Sequence, residues 1–259
     1  MTQSTQGIKD SVQRQFGQVA ENYRTSAVHM AGADMDAMIE AAALQGHEHI
    51  LDAGTGTGHT ALAFALRVAH VTAFDLTEPM LEQGRKLAAE RGLTNLDFRQ
   101  GDVEEMPFED AAFDLVVSRY SAHHWPHPAR ALHELARVLK PGGMFLLSDI
   151  VAPADPTRDT FLQTLELLRD PSHVRDHSIA QWSQMFEAAG FSVDVAFEWR
   201  LPLNFDLWVT RMATPPDVVN ILKWLYEGAP EEVRRVMDID TANGSYDFTI
   251  EGALFRGRK

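Results

Sequence analysis

Leu51-Asp52-Ala53-Gly54-Thr55-Gly56-Thr57-Gly58 is the stretch that decides the fold. An apolar run over residues 49–53 ends in an acid and a glycine cluster, and residues 60–69 are nearly all apolar and helix-favouring. That order reads as a buried strand, a tight turn and a helix packed on the sheet. The glycines remove Cβ atoms where backbone must approach a ligand or take positive φ. Strand, glycine loop and helix outline a nucleotide-binding unit, although a plain tight turn needs the same residues.

Working outward, the alternation repeats. Residues 71–75, 96–100, 113–118 and 144–149 read as strands, and 79–91 and 128–139 as helices, with Pro79 near a helix start and Lys140-Pro141-Gly142-Gly143 as a helix stop and turn. Strands alternating with helices indicate a parallel sheet with right-handed crossovers. Residues 157–169 and 179–189 continue as helix, Gly190 closes the second, and 191–199 form a sixth strand. Ahead of the loop, residues 12–23 and 32–44 carry apolar residues at helical spacing, with Gly46 as the stop. Residues 201–243 hold Pro202, Pro215, Pro216 and Pro230 with short helical pieces between them, and 246–255 read as the last strand. The expected organisation is N-terminal helices over 1–45, an α/β core over 46–200, a helical insertion over 201–245 and a closing strand over 246–259.

Composition narrows the partners. The 259 residues include 23 basic and 37 acidic side chains, a net charge of −14, and 45% are hydrophobic, enough for a sizeable core. Nucleic-acid backbones and anionic membranes are disfavoured, because both need a basic surface. The basic end Arg256-Gly257-Arg258-Lys259 reads as a frayed, solvated tail. The absence of cysteine removes disulfides, thiolate zinc sites and cysteine nucleophiles, and fits a reducing compartment. Residues 1–10 are polar, and no run of about 18 apolar residues exists. These features set the expectation of a cytoplasmic protein without a membrane span.

Three acids stand where strands end: Asp52 before the loop, Asp75 after the second strand and Asp102 in Gly101-Asp102-Val103 after the third. Ligands of open α/β sheets bind at that edge. Asp75 suits two ribose hydroxyls, and Asp102 beside Val103 suits an adenine amino group and ring. Asp52 would repel the pyrophosphate of a nicotinamide cofactor, and His59 stands where the third fingerprint glycine would be. S-adenosylmethionine (SAM) carries an ammonium group, a sulfonium and no phosphate, so charge type favours it over NAD.

These motifs, with Phe113-Asp114-Leu115-Val116 and Leu139-Lys140-Pro141-Gly142-Gly143, resemble class I SAM-dependent methyltransferases across residues 48–150, and among them the small-molecule ubiquinone/menaquinone-biosynthesis type. The resemblance implies a Rossmann-like, seven-stranded, mostly parallel sheet with helices on both faces and an antiparallel last strand inserted beside the fifth. It implies that Asp52, Gly54, Thr55, Gly56, Gly58, Asp75, Met80, Gly101, Asp102 and Arg119 hold the cofactor. The backbone of Gly54 and Ser118 would take its methionine end, with Leu76 and Val103 against adenine. Tyr23 and His29, in an N-terminal Tyr-x-x-Ser segment, would close over it.

In Arg119-Tyr120-Ser121-Ala122-His123-His124-Trp125, His123 or His124 is the candidate general base for an acceptor hydroxyl, amine or carbon acid. Each could equally pack under the sheet or cap a turn. His127 and His133 are expected to face solvent. No His-Glu-x-x-His spacing suggests a metal. In the insertion, Trp208, Arg211, Met212 and Trp224 are read as a lid lining a lipophilic or aromatic acceptor pocket, or else as core. The expected function is methyl transfer from SAM to an O, N or C atom of a small molecule. The competing readings are a SAM-binding regulator without transferase activity and an NAD-dependent oxidoreductase.

Overall fold

A computed structural model describes residues 3–241 and 244–259; the first two residues and residues 242–243, which fall within the expected insertion, lie outside the described residues. The elements in chain order are α1 (Gln3–Arg24), α2 (Ala27–Met30), α3 (Ala33–Ala41), β1 (His49–Ala53), α4 (His59–Ala65), β2 (His70–Asp75), α5 (Glu78–Glu90), β3 (Leu96–Gln100), β4 (Phe113–Arg119), α6 (Pro128–Val138), β5 (Leu139–Ile150), α7 (Pro156–Arg169), α8 (Ile179–Ala188), β6 (Ser192–Leu203), α9 (Phe205–Arg211), α10 (Pro216–Glu227), α11 (Glu231–Val236) and β7 (Phe248–Arg258). A 3-10 turn, Ala122–His124, follows β4.

The seven strands form one sheet in the order β3-β2-β1-β4-β5-β7-β6. β7 alone runs antiparallel, between β5 and β6, as the resemblance implied. Strand order reverses between β1 and β4, which opens a crevice at the carboxyl ends of those strands.

Side chains alternate across the strands and so feed two cores. Leu51, Val116, Phe145, Leu147 and Phe255 meet Leu132 and Leu135 of α6 and Trp182 and Phe186 of α8. Ile50, Leu115, Val117, Leu146 and Leu254 point the other way, onto Met38 of α3 and Phe64 of α4. Burial on both faces explains why these strands read as continuous apolar runs. A third cluster joins α7 to the insertion helices through Leu162, Leu165, Trp208, Leu222 and Tyr226. α1 lies along α5.

Three local readings change. Lys140–Gly143 is not only a turn: it bulges within β5, since Phe113 pairs with Leu139 but Leu115 already pairs with Met144. Asp114 accepts from Lys140 Nζ at 2.7 Å across that bulge. The chain end is not frayed. Arg256 and Arg258 are paired in β7 with β5 and β6, Arg256 makes a forked ion pair with Asp194, and Lys259 N donates to Gly143 O at 3.0 Å. Basic composition suggested solvation, but the sheet supplies partners on both sides. Last, α1 begins well before residue 12.

Candidate active site

The glycine loop is held by its own backbone and by one acid. Gly54 N and Thr55 N both donate to Phe74 O, at 2.8 and 3.0 Å, which ties the loop to the end of β2. Gly54 has φ +72°, and a Cβ there would collide with Ser121 Oγ, so only glycine is accommodated. Asp52 is buried: its Oδ2 accepts from Thr55 Oγ1 at 2.5 Å and from Ala61 N at 2.9 Å, while Oδ1 has no partner. Burial pushes its carboxyl up to about 7. Asp52 therefore clamps the loop to the start of α4. Asp52, Gly58 and Ser118, expected to face a ligand, do not line the cavity above the loop. Gly58 begins α4 against Phe98, and Ser118 lies fully buried within β4.

That cavity encloses about 920 Å³, part of it open to solvent, along the carboxyl ends of β1, β2 and β3. Gly54, Thr55, Gly56, Asp75, Leu76, Met80, Gly101, Asp102, Val103, Arg119, Tyr23 and His29 all line it. Asp75 Oδ2 accepts from Gly56 N at 2.7 Å and Oδ1 from Thr77 N at 2.8 Å. A carboxylate has about four lone-pair sites, so this one is oriented but not saturated. Asp102 Oδ1 accepts from Glu104 N at 2.9 Å. Sequence reasoning missed its other partner: Lys9 of α1 donates to Asp102 Oδ2 at 2.5 Å and to buried Glu104 at 2.7 Å. No local signal marks a lysine 93 residues away. His127, expected in solvent, is half-exposed but reaches Glu104 at 3.2 Å.

A second cavity of about 560 Å³ adjoins the first, and Phe16, Tyr23, His29, Tyr120 and His124 line both. The partition between them is rigidly held. Buried Arg119 pairs with Asp34 (Nε to Oδ2 at 2.6 Å, Nη2 to Oδ1 at 3.1 Å) and donates to His29 O and Val28 O, which ties α2 and α3 to β4. Tyr120 adopts φ +52°, an unusual conformation for a bulky residue, with the Arg119 guanidinium 4.5 Å from its ring centre. Its hydroxyl is buried without a partner, and burial raises its pKa. His29 is held neutral by burial and by Arg211 and Arg119.

Beyond the partition the two adjacent histidines diverge. His123 Nδ1 lies 2.7 Å from Oδ1 of buried Asp149, whose Oδ2 accepts from the backbone of Ala122 and His123. Burial opposes the charge on His123, but Asp149 overrides it and pushes the imidazole up to about 9. His124 is pushed down to about 4 by burial and by His123. Its Nδ1 meets Ser172 O at 3.1 Å, and its ring stands edge-on to Phe16. Asp149, at the carboxyl end of β5, stands where Asp75 stands on β2. The same strand-end criterion would have found it.

The insertion residues separate. Trp208 and Arg211 line the second cavity. Met212 does not: it is buried under α1 with Val19, Tyr23 and Met80. Trp224 is 70% exposed and lines neither cavity. Its neighbours Leu222 and Tyr226, four residues apart, put the apolar face of α10 on the core, and helical geometry turns position 224 the opposite way. Among the described residues, no group of three or more His, Cys, Asp or Glu is placed to hold a metal, and no helix is long and apolar enough to cross a membrane.

Residues 51–147 match the family described as a methyltransferase domain. The chain is 39% identical over 246 residues to YcgJ of Bacillus subtilis, named an uncharacterized methyltransferase, covering 94% of this chain and 97% of that one. The crystal structure of YcgJ is similar with a TM-score of 0.84 at 38% identity, over 87% of this chain and 97% of that chain. A 100-residue stretch is 45% identical to the ubiquinone/menaquinone biosynthesis C-methyltransferase UbiE of Brucella anthropi, covering 37% of this chain and 38% of that one.

Proposed function

This chain belongs to the class I SAM-dependent methyltransferases, and from that premise we propose that it methylates an O, N or C atom of a small lipophilic or aromatic metabolite. The observation that carries this reading is the pair of adjoining cavities with five shared wall residues. A transferase needs one chamber for the donor and a second that meets it at the reacting atom. A protein that only senses SAM has no use for the second.

The residues around the first cavity fit the donor. Asp75 would accept from two ribose hydroxyls through the lone pairs that Gly56 N and Thr77 N leave free. Leu76, Met80 and Val103 would flank adenine, Asp102 would face its amino group, and the Gly54–Gly56 backbone would approach the methionine end. Bound SAM supplies a methyl group already activated on a sulfonium. The remaining task is alignment, which is worth up to roughly 7–11 kcal/mol in well-oriented intramolecular reactions. Phe16, Tyr23 and Tyr120 bound the junction and exclude water there. With Nδ1 bound to Asp149, His123 uses Nε2 to take the proton that an acceptor hydroxyl or carbon acid must lose. Asp149 holds the ring's orientation and stabilises the imidazolium that results. UbiE is named a C-methyltransferase, so a carbon acid belongs among the acceptors to be tested.

The test is release of S-adenosylhomocysteine across a panel of phenols, amines and carbon acids with apolar rings. Turnover on that panel is expected. Turnover confined to polar, non-aromatic acceptors would contradict the reading.

A further inference from the structure

The second cavity has aliphatic walls, from Val28, Ile150, Leu201, Leu203 and Ile250, yet it also admits two guanidinium groups. Arg169, on α7, is only 8% exposed. Its Nε donates to Trp208 O at 3.1 Å, its Nη1 lies 3.4 Å from Glu166 Oε2, and its guanidinium rests 4.9 Å from the Trp208 ring centre. Arg211, at the end of α9, is different. Its Nη1 reaches Ser26 Oγ at 3.5 Å, its Nε is buried with no hydrogen-bond partner, and among the described residues it makes no ion pair.

The acids in and behind this chamber leave little charge for Arg211. Glu166 faces Arg169, Asp149 behind the wall is bound to His123, and buried Asp176, 3.8 Å from His173, has an Oδ2 without a hydrogen-bond partner. Burial also drives Asp176 toward its neutral form. Arg211 is half-buried and shares the charge of Glu166 with Arg169, and a desolvated cation without a counter-charge of its own is costly. Arg211 gains its missing partner when an anion enters the cavity. A planar fork of donors matches a carboxylate in particular.

Resting on the methyl-transfer reading above, we infer that the acceptor carries a carboxylate, which binds against Arg211 with Arg169 beside it, while its apolar body lies along the aliphatic wall toward His123. Arg211 is then a specificity-determining residue. The chamber selects acidic aromatic or lipophilic acceptors over their neutral counterparts.

The experiment uses the full chain saturated with S-adenosylhomocysteine. The probes are 4-hydroxybenzoate, 4-hydroxyphenylacetate and 3-(4-hydroxyphenyl)propionate, each paired with its primary amide, with affinity read by ligand-observed NMR. At least one acid is expected to bind roughly tenfold or more tightly than its amide, the ratio expected for one lost charge-assisted contact. Arg211→Met should erase that preference while affinity for S-adenosylhomocysteine is retained. Arg211→Gln, which keeps a polar side chain in place, decides the point if the Met variant fails to fold. Equal binding of acid and amide, no binding of any acid, or a preference that survives both variants overturns the inference. Failure of the wild-type chain to bind S-adenosylhomocysteine overturns the methyl-transfer reading itself, and this inference with it.

Discussion

The crevice we assign to the donor and the chamber we assign to the acceptor share a wall but are made differently. The crevice is assembled from consecutive turns at strand ends, so its groups are mostly backbone amides and the acids beside them. The chamber takes a few side chains each from α1, α2, the turn after β4, β5, α7, β6, α9 and β7, elements far apart in sequence. A site built from turns keeps its chemistry whenever the fold is kept. A site built from scattered side chains can change its ligand without disturbing the sheet. One chain can thus keep a common methyl donor while its acceptor pocket diverges.

The sharpest way to break the distinction is to attack the wall. Asp34→Ala leaves the Arg119 guanidinium buried and unpaired and also removes the acceptor for Ser148 Oγ. A stability loss of about 3–5 kcal/mol is expected in chemical denaturation. Both chambers should suffer together, seen as weaker S-adenosylhomocysteine binding and lost turnover. Selective damage to one side would mean that the wall is not shared.

His123→Asn touches the acceptor side alone. For an acceptor that must lose a proton, kcat/KM should fall by roughly 10²–10⁴-fold, with donor affinity retained. In the wild type, kcat/KM should climb with pH through about 9, because His123 is protonated below that value and only its neutral form accepts a proton. The same shift has a stability consequence of opposite slope. The folded pKa is raised, so the His123–Asp149 contribution is fully present below the ordinary imidazole value of about 6.5 and fades as pH rises through about 9. Thermal unfolding across that window should show a slope that the Asn variant lacks.

Asp75→Ala is the counterpart on the donor side. Losing the acceptors for the ribose hydroxyls should weaken S-adenosylhomocysteine by about 1–3 kcal/mol in calorimetry. The smallest effect belongs to Trp224→Ala, on the exposed face of α10. Stability should move by no more than about 0.5 kcal/mol and turnover should hold. A large loss of activity there would return Trp224 to the acceptor pocket.

The contrast also explains what the sequence could reveal. Strand, glycine loop and the strand-end acids are local patterns, so the parallel part of the sheet and the places of Asp75 and Asp102 were legible, while the inserted antiparallel β7 followed only from the family resemblance. Asp52 was legible as important but not in its task, since nothing in a linear motif says whether a carboxylate faces a ligand or the loop that carries it. Trp208 and Trp224 look alike in sequence; only the packing of α9 and α10 separates a cavity wall from a solvent-facing ring. Lys9 and Asp34 act on residues 93 and 85 positions away, and no periodicity encodes those pairings. The 12-residue β5 absorbed a proline and two glycines that read as a turn, because a bulge tolerates them where a regular ladder does not.

The most direct test of the account is one calorimetric comparison, S-adenosylhomocysteine against NAD on the unmodified chain. One equivalent of S-adenosylhomocysteine should bind, compete with SAM and weaken in Asp75→Ala, while NAD gives no heat above dilution. Saturable NAD binding, or S-adenosylhomocysteine binding that ignores Asp75, would contradict the assignment of the crevice to the methyl donor.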